Sequence, residues 1–180
     1  MKIVNLLSVV MALCAFRTAA DSPQGSFPEP PNTANRLFYI QRSNNTDTIM
    51  YEANLLSDKR LNAELPINVY WIRYTQKGQR ENLSALQWQL AYGYKHRLIH
   101  RETSSMEVSL NAFKKRPLYV SYHEGKPVAI TGINGQKSLL KKIFVQLEPS
   151  HGLIPKVRYL DLFGVDAVKE QPVFERIYID

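Results

Sequence analysis

The feature that most constrains this chain is its punctuation. From residue 36 onward, short runs rich in β-branched and aromatic residues are separated by clusters of turn formers. Residues 117–147 show it best: PLYVSYH, Glu124-Gly125, KPVAITGI, Asn134-Gly135 and QKSLLKKIFVQLE read as a three-stranded meander. Asn-Gly suits a type I′ hairpin turn because both central residues there need positive φ. Upstream, RLFYIQRS (36–43) and TIMYEANL (48–55) flank the turn cluster SNNTD as a hairpin. INVYWIRY (67–74) starts after Pro66, where a missing amide donor does least harm, and TQKGQR (75–80) reads as a polar turn. YKHRLIHR (94–101), MEVSLN (106–111), PKVRYLDLF (155–163) and PVFERIYI (172–179) extend the series.

One helix interrupts the strands. Ser84 and Gln87 have capping-box spacing, Leu83, Leu86 and Leu90 recur at helical intervals, and Gly93 supplies a stop. The expected fold is therefore mainly β: an antiparallel sandwich or partly open barrel of about nine strands, with one short helix near residues 84–92. A parallel α/β architecture lacks the crossover helices it would need.

Residues 1–20 carry the three parts of a secretory signal: Lys2, an apolar stretch from Ile3 to Phe16, and the small residues Thr18-Ala19-Ala20. That stretch is shorter than the roughly 20 residues of a membrane span, so cleavage after Ala20 with no transmembrane anchor left is expected. The expected location is outside the cytoplasm, periplasmic or extracellular. Residues 21–35, DSPQGSFPEPPNTAN, hold four of the ten prolines and read as an extended leader. A single β-rich domain then occupies residues 36–180.

Cys14, the only cysteine, falls inside the signal. The expected mature chain thus has no disulfide framework, no thiolate nucleophile and no cysteine-based metal site. Loss of Lys2 and Arg17 takes the formal net charge from +7 down by two, to +5. The excess sits in short clusters at Lys114-Lys115-Arg116, Lys141-Lys142, and Lys156 with Arg158. No nucleic-acid motif accompanies it, and an exported protein seldom meets nucleic acid, so that partner is not expected.

Two familiar catalytic signatures are missing: no Gly-x-Ser-x-Gly elbow and no Gly-rich phosphate loop occurs. His96 and His100 have the spacing of a helical metal pair. Their surroundings fit a strand, where the two positions lie about 13 Å apart, so no metal and no cofactor is expected. Carboxylates for a glycosidase-type pair exist at Glu52, Glu102, Glu107, Asp161 and Glu175, but spacing alone does not bring any two together.

Arginines among aromatics stand out more. By period-two alternation Arg73 shares a face with Val69 and Trp71, and Arg42 ends its strand on the face of Phe38 and Ile40. Arg158 shares a face with Lys156 and Leu160, with Tyr159 and Asp161 opposite. Tyr70, Tyr74, Tyr92 and Tyr94 cluster in sequence with Trp71 and Trp88. Guanidinium groups stacked on rings serve either as structural ion pairs or as an anion-reading surface. The candidate binding residues are Arg42, Trp71, Arg73, Tyr92, Lys156 and Arg158. A shared surface requires Arg42 and Arg73 to lie close together, and not both to be locked in buried ion pairs.

The segments Asn35–Arg42, Tyr70–Arg73 (YWIR), Ala91–Gly93 (AYG) and Pro155–Leu160 (PKVRYL) together resemble a domain-of-unknown-function family of exported proteins, found mostly in Bacteroides-type bacteria. The resemblance covers about residues 35 to 179 and implies export and one compact domain. It brings no activity and no catalytic residues. The expectation that follows is a non-enzymatic binding or accessory module of the cell envelope, its ligand a glycan, lipid or protein. The alternative is a hydrolase acting on envelope carbohydrate or peptide.

Overall fold

The computed structural model describes residues 27–100, 105–123, 125–149 and 155–179, without the side chain of His123. The expected signal, Glu102, Glu124 and His151 lie outside the described residues. In chain order the elements are β1 (Arg36–Arg42), β2 (Asn45–Ala53), β3 (Ile67–Arg73), β4 (Gln79–Asn82), α1 (Ala85–Gln87), β5 (Tyr94–His100), β6 (Ser105–Leu110), β7 (Phe113–His123), β8 (Lys126–Ile133), β9 (Gln136–Leu147), β10 (Val157–Asp166) and β11 (Pro172–Tyr178). A short 3-10 turn, Tyr74–Gln76, follows β3, and α1 runs on into one π-helical turn, Trp88–Tyr92. Among the described residues no helix is long and apolar enough to cross a membrane.

All the strands join one mixed sheet in the order β4-β3-β2-β1-β9-β8-β7-β6-β5, with β10 on β9 and β11 on β10. The sheet curls into a half-barrel, so the partly open barrel is the form realised. Among the described residues every strand pairing is antiparallel but one: β1 runs parallel to β9 over Tyr39–Arg42 and Lys142–Val145. The length of β9 explains this exception. Its first residues, Gln136–Leu139, pair with β8, and the rest of that edge is left for β1.

The Asn134-Gly135 turn forms as its chemistry requires, with φ of 50° and 75°. β4 was not expected, because QREN is polar and exposed throughout. It is held by its ladder to β3 and by side chains crossing that ladder: Glu81 bonds Arg73, and Arg80 lies 3.6 Å from the ring centroid of Tyr70.

Curling gives the sheet a large inner face and a smaller covered outer one. Inside, Phe38, Ile40, Ile49, Tyr51 and Trp71 join Val108, Leu118, Val120, Ile143 and Leu162 in one apolar core. Outside, Tyr39, Met50, Tyr70 and Ile72 form a second cluster. Part of the proline-rich leader lies against this outer side. Phe27 meets the edge of Phe144 at 5.3 Å, Gln41 Nε2 donates to Pro28 O at 2.9 Å, and Arg36 Nη1 donates to Pro30 O at 2.9 Å. Proline lacks an amide donor but keeps its carbonyl, so this segment docks as an acceptor rather than as a strand.

Candidate functional site

Trp71 organises the site. It stands mid-strand in β3, 1 % exposed, and its indole Nε1 donates to Gln87 Oε1 at 3.3 Å. The same Gln87 oxygen accepts from Ser84 N at 3.0 Å, while Ser84 Oγ accepts from Gln87 N at 3.2 Å. The capping box read from the sequence is therefore present, and it also seats the helix over the buried tryptophan.

The far end of the helical segment is fixed as firmly. Tyr51 OH donates to Tyr92 O at 2.7 Å, and Trp88 O accepts from Gly93 N at 2.9 Å and from Asn111 Nδ2 at 2.8 Å. Gly93 ends the helix by close approach and not by a left-handed turn: its φ is −70°, and a Cβ there would lie 2.3 Å from Trp88 O.

Between this helical segment and the inner face of the sheet lies a cavity of about 510 Å³. Its floor is Ile40 with Ile143, Val145 and Leu147 of β9 and Val157 and Leu160 of β10. Leu86, Leu90 and Tyr92 roof it, and Leu110 and Phe113, either side of the β6–β7 turn, close one end. Leu86 and Leu90 are 64 % and 65 % exposed, so they form the lip of the cavity and not its interior.

The one charged side chain among the described lining residues is Arg42. Its Nη1 donates to Tyr92 OH at 3.0 Å, and its Cζ lies 4.8 Å from the Trp71 ring centroid and 5.9 Å from that of Tyr92. Trp71 and Tyr92 meet edge to face at 5.3 Å. Arg42 Nε is the single buried side-chain nitrogen or oxygen among the described residues with no hydrogen-bond partner.

Arg73 reaches the same indole, its Cζ 4.4 Å from the Trp71 centroid, but is differently placed. Its Nε and Nη2 donate to the two oxygens of Glu81 at 2.7 and 3.1 Å, and its Nη1 donates to Asp47 at 3.2 Å. These bonds, Glu81's first, raise the Arg73 guanidinium above its ordinary value against the opposing effect of burial. Burial, which disfavours the charged form of either group, works to raise the Asp47 carboxyl. The N–H and hydroxyl of Thr75 and the charge of Arg73 outweigh it and hold Asp47 below its ordinary value.

The structure thus gathers Arg42, Trp71, Arg73 and Tyr92, and among the described residues only Arg73 of these is locked in ion pairs. Lys156 and Arg158 do not join them, and both are exposed. A bulge between Val157 and Tyr159 breaks the alternation there, so Val157 and Leu160 both face the cavity and Arg158 leaves the face of Leu160. The apolar lining was not singled out from the sequence. The period-two run Ile143, Val145, Leu147 carries its signal, but the same pattern marks any half-buried strand.

The candidate carboxylates are dispersed. Glu52 accepts from Thr33 Oγ1, Glu107 pairs with Arg97, Asp161 with Arg176, and Glu175 with Arg116. His96 Nε2 bonds Ala63 O at 2.9 Å. Among the described residues no cluster of three or more His, Cys, Asp or Glu is arranged to hold a metal ion.

A family model described as Domain of unknown function (DUF4833) matches residues 38–176. No curated protein and no solved structure matches the chain.

Proposed function

The chain belongs to the Domain of unknown function (DUF4833) family, and from that premise we propose that it is an exported, non-enzymatic binding module of the cell envelope that takes an apolar small molecule into its half-barrel. The observation that carries this reading is the cavity of about 510 Å³, walled by aliphatic and aromatic side chains and reached past two exposed leucines. Small-molecule sites are typically concave, mainly apolar and of about this size, roughly 300–1,000 Å³. Of the ligand classes considered for the envelope, a lipid-like molecule suits these walls better than a glycan, which needs a lining of hydrogen-bonding groups. The signal-like residues Lys2, Ile3 to Phe16 and Thr18-Ala19-Ala20 support export.

Hydrolysis is supported less. It requires two carboxylates, or a serine with a histidine, facing one cleft. The described lining residues include none of these, and the described candidate carboxylates are engaged elsewhere.

The test is titration with N-phenyl-1-naphthylamine, a neutral dye that fluoresces in apolar surroundings. Saturable uptake of one dye per chain, lost in Val145→Phe while the thermal melt of that variant stays cooperative, is the expected result. Unsaturable uptake, or uptake unchanged by Val145→Phe, overturns the reading.

A further inference from the structure

Resting on the cavity reading above, we infer that the ligand is a single-chain amphiphile ending in a carboxylate, and that Arg42 reads its head group.

The argument begins with the hydrogen-bonding capacity of a guanidinium. Arginine has five N–H donors in a fixed plane, and the edge made by Nε and one terminal nitrogen matches the two oxygens of a carboxylate. Arg73 uses that edge in this very structure, holding both oxygens of Glu81 through Nε and Nη2. The same edge of Arg42 has no partner among the described residues: Nη1 is bound to Tyr92 OH, and Nε is buried and unpaired.

A cation in such a place is costly unless something answers its charge. The rings of Trp71 and Tyr92 answer part of it through their faces, and they fix the plane of the group. They cannot accept the Nε hydrogen. An anion arriving with the ligand can, and then one wall offers a planar, pre-oriented fork while the others are mainly hydrocarbon, with Gln87 and Tyr92 the other polar side chains.

Chemistry narrows the ligand further. A lining with one cation takes one negative charge, and the remaining surface takes an unbranched or lightly branched chain, each buried methylene contributing about 0.8 kcal/mol. A guanidinium fork fits carboxylate or phosphate, but one cation among the described lining residues matches the single charge of a carboxylate better than the greater charge of a phosphate monoester.

The experiment is calorimetric titration of the purified protein with dodecanoate, dodecanol and dodecyl phosphate, the two anions below their micellar concentrations and dodecanol below its solubility limit. The same three titrations are run on Arg42→Met and Arg42→Lys. Wild-type protein is expected to bind dodecanoate about tenfold or more tighter than dodecanol, since a hydrogen bond to a charged group is at stake. Arg42→Met should erase that preference and leave dodecanol affinity within about threefold, and Arg42→Lys should retain part of the preference, because a point charge lacks the fork. Dodecanol binding also shows that each variant still forms the cavity. Equal affinity for dodecanoate and dodecanol in wild type, a preference that survives Arg42→Met, or tighter binding of dodecyl phosphate than of dodecanoate overturns the inference while leaving the cavity reading intact. Failure of wild-type protein to bind any of the three removes both.

Discussion

Arg42 and Arg73 approach one buried indole, that of Trp71, at 4.8 and 4.4 Å, yet among the described residues only Arg73 is matched by carboxylates. Arg73 ends β3 near the exposed edge strand β4, where Glu81 can reach it. Arg42 ends β1, next to the parallel β9, whose neighbouring side chains on the inner face are Ile143, Val145 and Leu147. That Arg73 meets carboxylates and Arg42 does not follows from their neighbouring strands.

Asp47 should make stability depend on pH. It is buried, it accepts from Thr75 N at 3.1 Å, Thr75 Oγ1 at 2.9 Å and Arg73 at 3.2 Å, and its pKa in the folded state is depressed. A depressed folded value means that the contribution is fully present well above the ordinary 3.8 and is lost as pH falls below it toward the folded value. Urea denaturation from pH 7 to 3 should show this fall. Asp47→Asn should cost about 2 kcal/mol at pH 7 and flatten the acid limb.

Tyr51→Phe removes one hydroxyl between the sheet and the helical segment. Tyr51 is fully buried, and its OH satisfies Tyr92 O at 2.7 Å. The variant should lose about 1–2 kcal/mol in chemical denaturation. Hydrogen exchange should be faster at Gly93 N, which closes the π turn on Trp88 O.

Gly93→Ala tests the close approach. The added methyl would meet Trp88 O at 2.3 Å and the Trp88 ring at 2.8 Å, so the turn must open. A loss of about 2–3 kcal/mol is expected, the upper part of the roughly 1–3 kcal/mol range of an overpacked site. Near-ultraviolet circular dichroism should report a changed tryptophan environment with the strand signal retained.

Much of this fold is written in local chemistry. β6 alternates buried and half-buried residues without a break from Ser105 to Leu110, Asn134-Gly135 forms the turn its residue types favour, and Ser84 with Gln87 starts the helix. What was not legible depends on distant partners. QREN is a strand because Tyr70 and Arg73 meet it, and the β1–β9 pairing joins residues about a hundred positions apart, which no local pattern encodes. The site divides along the same line. Alternation puts Arg73 on the face of Trp71 and Arg42 on that of Ile40, each within its own strand; that the two strands bring them to one indole has no local signal, and the bulge after Val157 carries Arg158 off the face of Leu160. The cavity itself is assembled from widely separated elements, so its volume has no signature in any one of them.

The most direct measurement places a ligand inside the half-barrel. Protein carrying protonated methyls at Ile, Leu and Val on a deuterated background would be mixed with dodecanol and cross-relaxation recorded from the alkyl chain. The account predicts contacts to the methyls of Ile143, Val145 and Leu160, on the cavity floor, and to Leu90 at its lip. Contacts confined to residues outside the cavity, or none at saturating dodecanol, would contradict it.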